Sequence, residues 1–218
     1  MKIKHTFILL AFVLLAIASC KKDKRNVHIL QGTVTDGRTG SGLSGCFVEA
    51  QQQVLSDGTF GGVFNSAATS STNASGSYSM EWKRENMVEV RLVVERDDYI
   101  ERTINLNPND FNPDEPVTQN VELFPEAYVQ VDIARSAPGA NSDQFDFRFD
   151  NANFDCVCCN NNWKSIAGAN ADTTFSCRLY GDTWLKFKKQ ILTSEIDTII
   201  TDSIFCPRFQ TSSIQIDW

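Results

Sequence analysis

Histidine is almost missing: of 218 residues only His5 and His28 are histidine. His5 lies in a leader-like start, so one imidazole remains for the folded part. This scarcity argues against Ser-His-Asp catalysis and against histidine-rich zinc sites. Basic excess is missing too. The chain has 20 Lys and Arg against 27 Asp and Glu; without Lys2 and Lys4 that leaves 18 against 27, a net −9 that disfavours nucleic acid as a partner. Sustained helical spacing of apolar residues is hard to find. Long apolar runs are confined to the N-terminus, where Phe7 to Ala18 follow Lys2 and Lys4. That run is shorter than the roughly 20 residues a spanning helix needs, so residues 1–19 read as a signal peptide.

The end of this segment, Leu15-Ala16-Ile17-Ala18-Ser19-Cys20, resembles the bacterial lipobox. The resemblance implies diacylglycerol on Cys20, cleavage before it, and residues 20–26 as a polar lipidated tether. Each buried methylene of an acyl chain contributes about 0.8 kcal/mol, so two or three chains hold a protein at a membrane without a spanning helix. Lys21 in the second mature position is compatible with sorting to the outer membrane, with either its periplasmic or its surface face.

From Val27 onward the chain has period two. Val88, Val90, Leu92 and Val94 alternate with Glu89, Arg91 and Val93; Phe145, Phe147 and Phe149 alternate with Asp146 and Arg148; Ile214, Ile216 and Trp218 alternate with Gln215 and Asp217. Such strands have one wet and one buried face. Asp36-Gly37, Asp57-Gly58, Ser75-Gly76 and Gly181-Asp182 supply turns. The pattern predicts an all-β protein of two consecutive antiparallel β-sandwich domains, Ig- or transthyretin-like, at 27–124 and 125–218. The boundary comes after the Asn- and Pro-rich loop Asn107 to Pro116 and one closing strand, Val117 to Leu123, before Pro125.

The first unit resembles the carboxypeptidase regulatory-like family over residues 28 to 106. The segment Gly32-Thr33-Val34-Thr35-Asp36, with Thr39-Gly40 and Leu43, is similar to its opening strand and turn. Thr72-Asn73-Ala74-Ser75-Gly76-Ser77-Tyr78-Ser79-Met80 is similar to its second signature. The resemblance implies a transthyretin-like sandwich that acts as a non-catalytic support or binding module. Between the two signatures, Gln51 to Ser71 read as an insert. The second unit resembles no family on its residues.

Apart from Cys20 the cysteines are Cys46, Cys156, Cys158, Cys159, Cys177 and Cys206. In an exported chain they suggest disulfides. Cys46, alone in the first unit, is expected to be a buried free thiol. Cys156, Cys158, Cys159, Cys177 and Cys206 are disulfide candidates, with Cys177 and Cys206 each expected to meet one member of the crowded cluster. A four-cysteine zinc site would show two separated pairs, so no metal is expected. Asp143, Asp146, Asp150 and the asparagines nearby match no calcium loop and read as a solvated loop and strand face.

Aromatic side chains could stack on sugar rings, with Trp82, Trp163, Tyr180 and Trp184 as candidates. Trp163, in Asn160-Asn161-Asn162-Trp163-Lys164, is the most suggestive ligand contact, although a loop tryptophan more commonly folds back over a disulfide, which is the favoured reading of the residue. The expected function is that of a cell-envelope lipoprotein, a binding or accessory module for a glycan or an envelope protein. It would need neither catalysis nor a cofactor. The alternatives are a structural lipoprotein supporting an outer-membrane transporter or surface assembly, and a glycoside hydrolase using two carboxylates.

Overall fold

A computed structural model describes residues 26–56, 59–60, 62–112, 115–136, 139–150, 159–168 and 172–218. Cys20, most of the tether, Cys156 and Cys158 lie outside the described residues. The first ten strands are β1 (Val27–Asp36), β2 (Phe47–Ser56), β3 (Thr59–Phe60), β4 (Asn65–Ser71), β5 (Ser77–Lys83), β6 (Met87–Glu95), β7 (Tyr99–Ile100), β8 (Arg102–Leu106), β9 (Pro116–Thr118) and β10 (Val121–Ala134). They are followed by β11 (Gln144–Phe149), β12 (Lys164–Ala167), β13 (Thr173–Tyr180), β14 (Thr183–Leu192), β15 (Asp197–Cys206) and β16 (Thr211–Asp217). Among the described residues the only helix is the short 3-10 turn Pro108–Asp110.

The protein is all-β and built as sandwiches. In the first, β5, β1, β9 and the start of β10 face the sheet β3-β2-β6-β8 with β4. Leu30, Val48, Met80, Leu92 and Leu123 fill the space between them. In the second, β13-β10-β16 faces β12-β11-β14-β15 around Val131, Phe145, Phe147, Leu179 and Leu185. The alternating apolar residues identified in the sequence are these inward residues; Val88 and Trp218, at the ends of their patterns, are exposed and half-buried. Strand β10 belongs to both sandwiches. Its Val121 and Leu123 lie in the first cluster, its Val129 to Ile133 in the second, and Phe124 and Pro125 pair with β7 between them. The pairs β1–β9, β1–β10 and β10–β16 run parallel, which alternation cannot reveal because both ladder types share period two.

Residues 51–71 are not a simple insert. Gln51 to Ser56 complete β2, and β4 pairs antiparallel with β2 through Phe47↔Ser71 and Val48↔Ser70. The serines and threonines that resemble a loop in composition occupy the outer strand of a sheet, where half their side chains meet water.

The two signature segments pack together. Asn73 Oδ1 accepts from Ser75 N and Ser77 N, each at 3.0 Å, closing a tight turn. Gly76 has φ +79°, and a Cβ there would stand 2.4 Å from Val34 O, so only glycine fits the turn. Val34 N donates to Gly76 O at 2.8 Å and Leu43 N to Val34 O at 2.9 Å. Gly32 allows the Gln119 backbone to approach: a Cβ would stand 1.9 Å from Gln119 O, which also accepts from Tyr78 Oη at 2.6 Å.

His28 is 2% exposed and lies against Trp82 and Phe111, with ring centroids 5.6 Å away in both cases. Neither ring nitrogen makes a well-formed hydrogen bond. Burial, first, and the charge of Arg84 lower its pKa below the ordinary 6.5, against a smaller upward pull from the Glu85 backbone. The unfolded chain therefore binds a proton at a pH where the folded one does not, and stability is lost as pH falls through that of a free imidazole. The depressed carboxylates Asp36, Asp143, Asp150 and Asp182 titrate below 3.8, outside this window. The melting temperature is expected to drop a few degrees between pH 7.5 and 5.5, and His28→Phe to flatten that dependence. An unchanged slope in the variant would refute this assignment.

Candidate functional site

Four aromatic residues were candidates for stacking on a ligand, and the structure divides them. Trp82 is buried, its Nε1 donating to Gln52 Oε1 at 3.0 Å. Tyr180 is buried against Phe124, with centroids 4.8 Å apart. Trp82 is a core residue, in phase with Tyr78 and Met80 on β5; Tyr180 is out of phase with the inward Phe175, Cys177 and Leu179 of β13 and is covered by Phe124 instead. Trp163 and Trp184 are 40% and 61% exposed.

These two share one surface. In β14 the inward residues are Leu185 and Phe187, so Trp184, Lys186 and Lys188 face out. Arg148 of β11 pairs with Lys188, and Phe205 of β15 pairs with Trp184; directly opposed residues lie on the same face. Arg148 holds its guanidinium 4.7 Å from the centre of the Trp163 ring, which brings Trp163 onto this face. Trp184 and Phe205 have centroids 5.5 Å apart at 54°. Two strand spacings and four residues along the strand separate the tryptophans by about 16 Å.

Between them the surface is polar and cationic. Asp150 Oδ1 accepts from Lys188 Nζ at 3.1 Å and from Arg148 Nη2 at 3.2 Å. The Lys188 hydrogen bond, the largest effect, holds the Asp150 carboxyl below the ordinary carboxylate range. Lys186 adds a third cation to the same face. The acids nearby are not a uniformly solvated cluster. Asp146 is 8% exposed and takes both carboxylate oxygens' hydrogen bonds from Gln144 Nε2; Asp143 is buried and salt-bridged to Arg135. Strand parity gave Asp146 the right face but not its cover. Among the described residues no group of three or more His, Cys, Asp or Glu is placed to hold a metal ion.

Cys159 and Cys177 form a disulfide with Cα atoms 5.2 Å apart, fixing the chain ahead of Trp163 to β13. Cys206 departs from expectation. It is a buried free thiol at the end of β15, where it faces the second core, and burial raises its pKa. Cys46 is also free and buried, with Sγ donating to Leu43 O at 3.5 Å.

An open cleft of about 700 Å³ lies where the two sandwiches meet. Phe47, Glu95, Asp97, Tyr99, Glu101 and Arg178 contribute to its walls. Its Glu126 is already engaged by Arg178 Nη1 at 2.8 Å. Behind it the sandwiches are joined through Asp36, 3% exposed. One carboxylate oxygen accepts from Arg38 N at 2.7 Å and Thr39 N at 3.0 Å; the other accepts from Tyr99 Oη and Arg208 Nη1, both at 2.9 Å. Burial alone would raise the Asp36 pKa, but these donors outweigh it and hold it below the ordinary value. Arg208 also pairs with Asp182, and Arg38 reaches Gly181 O at 3.0 Å and Thr183 Oγ1 at 2.6 Å. No pattern within one strand signals this joint, since its partners are far apart in sequence.

No family model matches the chain, and no curated protein matches it significantly in sequence. Among solved structures, the TIE protein of Bacillus anthracis is similar with a TM-score of 0.37 and 9% identity, over 88% of this chain and 34% of that one. A streptococcal ancillary pilin gives a TM-score of 0.34 at 12% identity, over 90% and 63%. The minor pilin of Streptococcus agalactiae gives 0.33 at 10% identity, over 87% and 94%. This chain thus spans about a third of the first protein's length and less than two thirds of the second's.

Proposed function

We propose that this chain is a lipid-anchored, non-catalytic module of the cell envelope that binds glycan on the outer face of β12-β11-β14-β15. The observation that carries the reading is the pair of exposed tryptophans, Trp163 and Trp184, on one sheet face with Arg148 and Lys188 between them. Indole rings offer apolar planes to the C–H faces of sugars, while the charged groups can hydrogen-bond hydroxyls or carboxylates. In this reading Cys20 carries the acyl chains, residues 20–26 form the tether, and the carboxypeptidase regulatory-like unit holds the second sandwich away from the membrane. The joint at Asp36 favours a second reading, a structural lipoprotein that transmits a fixed geometry to an outer-membrane transporter or surface assembly.

A glycan array with the full chain tests the first reading. Binding to at least one oligosaccharide is expected, with Trp163→Ala and Trp184→Ala each weakening it about tenfold, about 1.4 kcal/mol. Unchanged affinity in both variants would reject the site. An empty array together with co-purification of a membrane protein would favour the second reading. Labelled palmitate should enter the wild type and not Cys20→Ser; an unlabelled wild type removes the anchor.

A further inference from the structure

Strand β15 is the last strand of its sheet, and no described strand pairs with its outer edge. All ten of its residues pair with β14 in unbroken register, from Thr183↔Cys206 to Leu192↔Asp197. Natural sheet edges are normally protected by bulges, prolines, charged side chains or short length; β15 contains no lysine or proline, no register shift and ten residues, and its charges are Asp197 and Asp202, the latter with inward parity. Its seven residues Asp197 to Ser203 are all exposed. Thr198, Ile200 and Asp202 have the inward parity, so the opposing sheet does not reach over this part of the hairpin. Ile196, Ile199 and Ile200 are 47%, 56% and 39% exposed.

We propose that β15 pairs antiparallel with β15 of a second copy about a two-fold axis normal to the sheet, with Ile200 opposite its own mate. Such an axis keeps the faces, so only every second register is possible. With Ile200 central, the exposed stretch from residue 197 to 203 overlaps its mate completely. Ile204 meets the mate's Ile196, and both carboxylates face hydroxyls, Asp197 at Ser203 and Asp202 at Thr198. A shift of the centre to Ile199 or Thr201 places Asp202 opposite Ile196 or Ile200, setting a carboxylate against an isoleucine. The strand is thus complementary to itself in one register, which selects a second copy as the occupant. Main-chain hydrogen bonds along the edge supply affinity. The product is one continuous sheet of twice the width, with the Trp163–Trp184 surfaces of both copies on the same side.

Sedimentation of the full-length protein in detergent, over a range of concentrations, should show a monomer–dimer equilibrium. Ile200→Lys, which sets like charges opposite each other, should raise the dissociation constant at least tenfold. Under mild oxidation Ile200→Cys should form a disulfide-linked dimer and Thr198→Cys should not, whereas Thr198→Cys combined with Asp202→Cys should. The wild type, with Cys46 and Cys206 buried, gives the background. A wild type that stays monomeric at every concentration overturns the proposal. So does cross-linking of Thr198→Cys alone, or of Ile200→Cys to a different protein.

Discussion

Asp36→Ala is expected to lower stability by about 3 kcal/mol, the cost of leaving the partly exposed Arg208 and three further donors without the buried acceptor they share. The carboxylate takes four hydrogen bonds, from Arg38 N, Thr39 N, Tyr99 and Arg208. Removing it strands the Tyr99 hydroxyl and one side of the Arg208 guanidinium at the joint between the sandwiches. For a chain of this size the melting temperature should fall by about 10 °C. Calorimetry should also show the unfolding transition broaden or divide, because Arg208 and Tyr99 connect elements of different cores. Asp36→Asn, which retains an acceptor oxygen, should cost less. The depressed pKa of Asp36 adds an acid limb: its contribution is present above the unfolded value of 3.8 and is lost as pH falls through the folded value. A loss under about 1 kcal/mol for Asp36→Ala would show that the joint rests on something else.

The second large effect is in the other core. Phe147→Ala should destabilise by about 4 kcal/mol, since a fully buried phenylalanine leaves a cavity its neighbours fill only in part. Phe147 is 0% exposed and touches Phe149, Phe175 and Phe187, with centroids 5.0, 5.6 and 5.5 Å away. The consequence for function is indirect. Phe147 anchors β11 from within, and the next residue, Arg148, points out to stack on Trp163. A loosened β11 should therefore weaken glycan binding as well as stability, and Phe147→Leu should restore most of both. Denaturant titration gives the first quantity and the array the second; full stability in Phe147→Ala would contradict the packing described.

The strand content was legible because burial of one sheet face imposes period two on the residues whose exposure to water is unfavourable. Phe145, Phe147 and Phe149 show it plainly, and all three are inward. Trp163 was legible as a candidate because an indole in a run of asparagines is conspicuous. Its companion Trp184 could not be told apart from Trp82 and Tyr180, since nothing local separated the exposed ring from the two covered ones, of which Tyr180 has the outward parity of its strand and is covered only by Phe124. Parity within a strand tells which residues share a face; it does not tell which face is covered. Asp146 illustrates this, sharing the outward parity of Arg148 yet lying buried.

Cysteine pairing had the same limit. Proximity of Cys159 to Cys177 depends on the path of the chain into β13, and Cys206 points into the second core at a depth that spacing cannot report. By itself the amino-acid sequence determined the all-β class, most strands and the turn at Gly76, because alternation and glycine conformations are properties of neighbouring residues. The tertiary structure alone decided the shared strand β10, the joint at Asp36, the common face of Trp163 and Trp184, and the bare edge of β15. Each of these is a relation between segments far apart in the chain, and its energy arises only when folding brings them together.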